Sequence, residues 1–152
     1  MPQKKIALIN DITGFGRCSV AVMAPVISAM KIQAVAVPTA ILSTHTQFPK
    51  YFFDDYTSKM RDYIQTYKDL DMSFDAIATG FLGSEEQVDI VIDFIKTFKK
   101  NGVFTLVDPV MGDYGRLYET YTPPTKISAI VSNVSLTISL AFKIISLFLS
   151  NV

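Results

Sequence analysis

Asp108-Pro-Val-Met-Gly112-Asp113 sets two carboxylates at the ends of a stiff proline–glycine segment. Phosphoryl transfer is mainly positioning plus neutralisation of developing charge, so paired acids on a rigid turn suit a metal–nucleotide complex. Taken alone, the segment equally suits a strand-ending turn with solvated acids, because Asp, Pro and Gly are common turn formers. His45, the only histidine, stands beside Thr46 and Gln47. An imidazole there invites a proton-handling role, although an orienting histidine is the commoner outcome even in a pocket. Asn10-Asp11 precedes Gly14-Phe-Gly16, which is too short for a phosphate loop and is explained by a tight turn. Asp11 approaches a helix start, where negative charge is favourable in any case. Cys18, next to Arg17, could be a reactive thiol but reads more simply as a small packing residue.

Apolar runs rich in β-branched residues alternate with segments of helical period, and these elements must position the polar groups. Lys5 to Asn10 reads as a buried strand, and Ser19 to Met30 as a helix with Val22, Met23, Val26, Ile27 and Met30 at helical spacing. Pro25 should bend that helix. Gln33 to Val37 is a second strand, stopped by Pro38, and Tyr56 to Leu70 is a helix with Tyr56, Met60, Tyr63, Ile64 and Tyr67 on one face. Asp75 to Thr79 is a third strand. Ser84 with Gln87 forms a capping box before the apolar stripe Val88, Val91, Ile92, Ile95 and Phe98, and Asn101-Gly102 closes the helix. Val103 to Val107 is a fourth strand. Strands separated by helices predict an α/β fold: a three-layer αβα, Rossmann-like arrangement with a mostly parallel sheet. Ligands in such sheets bind beyond the carboxyl ends of the strands. The loops 11–16, 39–49, 80–84 and 108–118 are therefore the informative ones, and they gather Asn10, Asp11, Thr44, His45, Thr46, Gln47, Asp108 and Asp113.

Four blocks, each in order and after the appropriate strand, carry a more specific signal. Asn10-Asp11-Ile-Thr-Gly-Phe-Gly-Arg-Cys-Ser19, Leu42-Ser-Thr-His45-Thr46-Gln47, Gly80-Phe81-Leu-Gly-Ser84 and Asp108 to Asp113, with Gly115-Arg-Leu-Tyr118 close behind, resemble the pyridoxal kinase family of the ribokinase-like class. The similarity covers about residues 4–121. It implies ATP-dependent phosphorylation of the 5′-hydroxymethyl group of pyridoxal, pyridoxine or pyridoxamine. Its cofactors would be ATP and Mg2+, with a monovalent cation as a further candidate, and full-length members would form a homodimer. The resemblance assigns Asp11, Thr46, Gln47 and Phe81 to the vitamer, Asp108 to the ATP phosphates and Asp113 to the cation. Asp11 stands where many relatives have Ser, which motivates a preference for an aminated vitamer. Phe81 stands where Tyr is frequent, so stacking survives and a phenol hydrogen bond does not. Hydroxymethylpyrimidine or its phosphate is the competing substrate class.

Composition bounds these readings and exposes a seam. The chain of 152 residues balances 14 basic against 14 acidic groups, which gives no nucleic-acid footprint. One cysteine excludes an intramolecular disulfide, and the polar start does not read as a signal peptide, so a soluble cytoplasmic protein is expected. All acids lie at or before Glu119 and all glycines at or before Gly115. Residues 1–121 thus read as the N-terminal part of a kinase domain, and 122–152 as a divergent, apolar tail, out of frame or replaced. Lys143 weighs against a membrane span in that tail. The family's later Gly-x-Gly-Asp segment, which supplies an anion hole and the general base, has no counterpart in the sequence. The expectation is therefore a truncated fold with no catalytic base and negligible turnover by itself. A non-catalytic remnant with at most weak vitamer binding is the alternative.

Overall fold

The structure, a computed structural model, describes residues 2–100, 102–108, 110, 112–113 and 116–117. Asn101, Gly115, Tyr118 and the whole 122–152 tail, with the readings made of them, lie outside the described residues. In chain order the elements are β1 (Lys5–Phe15), α1 (Ser19–Ala29), β2 (Gln33–Thr44), β3 (Phe53–Asp55), α2 (Thr57–Asp69), β4 (Ala76–Thr79), α3 (Glu85–Phe98), β5 (Phe104–Val107), β6 (Gly112–Asp113) and β7 (Arg116–Leu117). The five-stranded sheet has the order β3-β2-β1-β4-β5, with β2, β1, β4 and β5 parallel and only β3 antiparallel. β6 and β7 form a separate antiparallel pair.

Alternate residues of β1 decide the layers, because successive side chains in a strand point to opposite faces. Leu8 packs with Ile27 of α1 and Ala78 on one face. Ala7 and Ile9 join Met60 and Ile64 of α2 and Val88, Val91, Phe94, Ile95 and Phe98 of α3 on the other. Phe74, Phe94 and Phe98 meet ring to ring at 4.5–5.7 Å, a tilted and edge-on arrangement that aromatic quadrupoles favour. The result is the expected three-layer αβα architecture.

Several expectations need correction. β2 does not stop at Pro38 but continues to Thr44, and β1 continues past Asn10 to Phe15. Pro38 is tolerated because β3 covers only residues 40–42, leaving the outer edge of β2 unpaired beside it. Tyr63 and Tyr67 close that edge by donating to the Ala36 carbonyl at 3.0 and 3.1 Å. A register shift between Asn10 and Ile12 accommodates the extension of the β1–β2 pair. Strand β3 has only three residues and gave no period for a sequence reading to detect. α1 runs through Pro25 as one helix, and of its apolar stripe only Met23 and Ile27 pack inward, whereas Val22, Val26 and Met30 are exposed. α3 ends at Phe98, before the Asn101-Gly102 pair. None of the described helices is long and apolar enough to cross a membrane.

Candidate functional site

In a doubly wound sheet the chain leaves β1 toward β2 on one side and returns to β4 on the other, opening a crevice at the carboxyl ends of β1 and β4. Asn10 and Asp11 occupy one lip of that crevice, and Gly80 and Phe81 the other. A single oxygen joins them: Asn10 Oδ1 accepts from the backbone N–H of Asp11 and from that of Phe81, both at 2.9 Å. The Phe81 carbonyl accepts from Thr39 Oγ1 at 2.8 Å. Gly83 N–H donates to Gln87 Oε1 at 2.8 Å. Gln87 thus departs from the expected capping box. Its backbone N–H is capped by Ser84 Oγ at 3.2 Å, but its side chain serves Gly83 and the strands instead of reaching back to Ser84.

Asp11 was expected in a loop and lies in the strand, buried. Its carboxylate accepts from Thr13 Oγ1 at 2.7 Å and from Ser19 Oγ at 2.6 Å, tying the strand to the start of α1. Ser19 takes a left-handed φ of 52° to make this bond. Among the described residues no Lys or Arg pairs with Asp11. Buried carboxylates ordinarily need a paired charge or several donors, so two hydroxyl bonds leave room for a cationic ligand group.

Asp108 follows β5, whose Val107 is in register with Thr79 of β4, so it stands on the same edge as Gly80. It keeps an exposed surface, and such burial as it has holds its carboxyl above the usual carboxylate range. The backbone of Asp113 pairs with Arg116 in the β6–β7 hairpin, and the cation role read for its side chain lies outside what is described. Among the described residues no three His, Cys, Asp or Glu side chains gather as a metal cage.

Thr46 and Gln47 sit apart from this crevice. They lie past the end of β2, where Thr44 is in register with Phe15, four residues and about 13 Å of strand beyond Asp11. Both are exposed. Their segment is nevertheless built: His45 N–H donates to the Phe15 carbonyl at 3.2 Å, Gln47 N–H donates to His45 Nδ1 at 3.3 Å, and the His45 ring lies 4.6 Å from that of Phe48. Gly16, at φ 137°, admits the imidazole, for a Cβ there would stand 2.8 Å from His45 Cδ2. The structure thus brings Asp11, Phe81 and Asp108 to one edge and places Thr46 and Gln47 on a ribbon projecting from it. Thr39 and Gln87 were not read as site residues. The available signal was an uncharged polar side chain at each of two positions where the flanking pattern is core-facing.

No family model matches the chain. A candidate pyridoxal kinase of Schizosaccharomyces pombe is 40% identical over 47 residues, which is 30% of this chain and 14% of that protein. The crystal structure of a candidate phosphomethylpyrimidine kinase from Bacteroides thetaiotaomicron, in a form with pyridoxal, is 46% identical, superposes with a TM-score of 0.77, and covers 80% of this chain and 42% of its own. A pyridoxal kinase from Leishmania donovani in complex with ADP and pyridoxamine shares the fold at a TM-score of 0.72 and 20% identity, over 76% of this chain and 43% of its own. The chain spans about two-fifths of the length of the solved structures it matches, and less of the curated relative. In sequence the matched part of this chain is thus similar to a candidate pyridoxal kinase and to a candidate phosphomethylpyrimidine kinase, and it shares the fold of the solved pyridoxal kinases.

Proposed function

We propose that residues 1–121 form the vitamer-binding part of a pyridoxal kinase, and that 122–152 are a separate, divergent segment. The observation that carries this reading is the 46% identity, over four-fifths of the chain, to a protein crystallised with pyridoxal. The Asp11–Phe81 crevice at the sheet's switch point supports it, since ligands of this architecture bind there.

Each residue has a distinct task in this proposal. Phe81 offers a ring face for stacking on the pyridine. Asp11, already fixed by Thr13 and Ser19, holds a polar or ammonium substituent of the vitamer. Thr46 and Gln47 approach from the ribbon and satisfy ring substituents with a hydroxyl and an amide. Asp108, with Asp113, faces the cation and phosphates of ATP. Bound Mg–ATP would supply the phosphoryl group and neutralise its charge. The family's Gly-x-Gly-Asp segment, which carries the general base, has no counterpart among these 152 residues, so the role proposed for them is binding.

Hydroxymethylpyrimidine or its phosphate is a second reading, favoured by the Bacteroides relative, a candidate phosphomethylpyrimidine kinase. Thermal unfolding of the purified chain with pyridoxal, with hydroxymethylpyrimidine and with ATP separates the cases, because a ligand stabilises the folded state it binds. The proposal expects pyridoxal to raise the melting temperature more than the pyrimidine does. The reverse order would move the assignment to the pyrimidine class, and no shift with either would remove both.

A further inference from the structure

The connection from β4 to α3, residues 80–84, carries Phe81, and its backbone is held mainly by side chains. Asn10 of β1 takes the Phe81 N–H at 2.9 Å, Thr39 of β2 binds the Phe81 carbonyl at 2.8 Å, and Gln87 of α3 takes the Gly83 N–H at 2.8 Å. Thr39 and Gln87 are 0% and 1% exposed. Gln87 is itself anchored, for its Nε2 donates to the Thr39 carbonyl at 2.8 Å, to Thr57 Oγ1 at 2.8 Å and to Asp55 Oδ1 at 3.2 Å. The Phe81 ring lies over Gly83, where an added Cβ would be 3.6 Å from Cε1. Three side chains from two strands and a helix therefore define where one aromatic ring stands.

These bonds satisfy backbone groups of a half-buried connection, which an apolar side chain at position 39 or 87 would leave unpaired. A satisfied polar network also specifies one conformation, and a wall fixed before binding spares the ordering cost that a mobile wall would add. We infer that Gln87, Thr39 and Asn10 are positioning residues that fix the Phe81 segment as a preformed wall of the ligand crevice and so set affinity for a ring-shaped ligand. The inference rests on the proposed function for the nature of the ring.

The test is a pyridoxal titration of the whole chain and of Thr39→Val, Thr39→Ser, Gln87→Met and Tyr63→Phe, with melting temperature recorded for each. Thr39→Val and Gln87→Met are expected to weaken pyridoxal binding by about tenfold, roughly one hydrogen bond's worth of positioning. Thr39→Ser, which keeps the hydroxyl, should bind nearly as the parent does. Tyr63→Phe, which loses the bond to the Ala36 carbonyl and the one accepted from Tyr67 at the far edge of β2, should lower the melting temperature and leave affinity alone. Amides of Phe81 and Gly83 should exchange faster in Gln87→Met. If that variant does not fold, the Val and Ser pair at position 39 decides. Unchanged affinity in the variants, or no difference between Val and Ser at position 39, would overturn the inference while leaving the proposed function intact. Absence of pyridoxal binding by the parent chain would overturn both.

Discussion

Gly80 is packed against Asn10 so closely that a Cβ added to it would stand 2.4 Å from the carboxamide. The obstacle is the side chain that bridges Asp11 and Phe81, so the contact lies at the centre of the crevice. Gly80→Ala should cost about 1–3 kcal/mol by overpacking. Gly83→Ala meets only ordinary contacts, the nearest at 3.6 Å, and should lower stability much less. Denaturant titrations of the two variants compare them directly, and equal losses would contradict the placement of Asn10.

The two tyrosines on the β2 edge predict a change at alkaline pH. Burial first, then the hydrogen bond and charge of Tyr63, push the Tyr67 hydroxyl well above its ordinary range. The folded state therefore prefers the neutral phenol. Its contribution is fully present below the unfolded pKa of about 10 and is lost as pH rises toward the folded value. Denaturant midpoints measured at pH 9 and pH 11 should fall, and Tyr67→Phe should flatten that fall. An equal fall in the variant would assign the effect to other groups.

Asp11 predicts vitamer choice. Its buried carboxylate has two hydroxyl donors and, among the described residues, no basic partner. An aminated vitamer would supply the missing charge, so pyridoxamine should bind more tightly than pyridoxal by about tenfold, a modest charge-assisted bond. Asp11→Ser should abolish the difference. Equal binding of the two vitamers by the parent chain, unchanged in the variant, would remove the charge argument.

Asp108 should show the opposite balance between stability and function. Desolvation raises its carboxyl, so its ionised form is disfavoured in the fold, and stability should decline as pH climbs through the carboxylate range. Asp108→Asn should unfold at the same temperature or higher, while its response to Mg–ATP should disappear. A clear loss of stability would mean that the carboxylate has a structural partner.

The layered architecture was legible because its signals are local: β-branched runs, helical stripes, and the Ser84 cap of α3. The extension of β1 and β2 beyond Asn10 and Pro38 was hidden, since proline normally ends a strand and only the unpaired edge of β2 makes it harmless here. The outward faces of Val22, Val26 and Met30 could not be told from inward ones by spacing, because that helix is apolar nearly all round. At the site, Asp11, Phe81 and Asp108 were singled out by motif resemblance, and the fold sets them on one edge of the sheet. Asn10 was read as a strand end and motif residue, Gln87 only as a cap partner of Ser84 and Thr39 only as the start of a loop. Their linking roles stayed hidden because the partners lie up to 71 positions away and mostly on the backbone, which has no sequence.

The central claim is most directly tested by following backbone amide resonances while pyridoxal is added to the isotope-labelled chain. The account predicts saturable shifts concentrated at Asp11, Phe81 and Gly83, with smaller ones at Thr46 and Gln47. Shifts that do not saturate, or that cluster on the α1 face around Val22 and Val26, would contradict it.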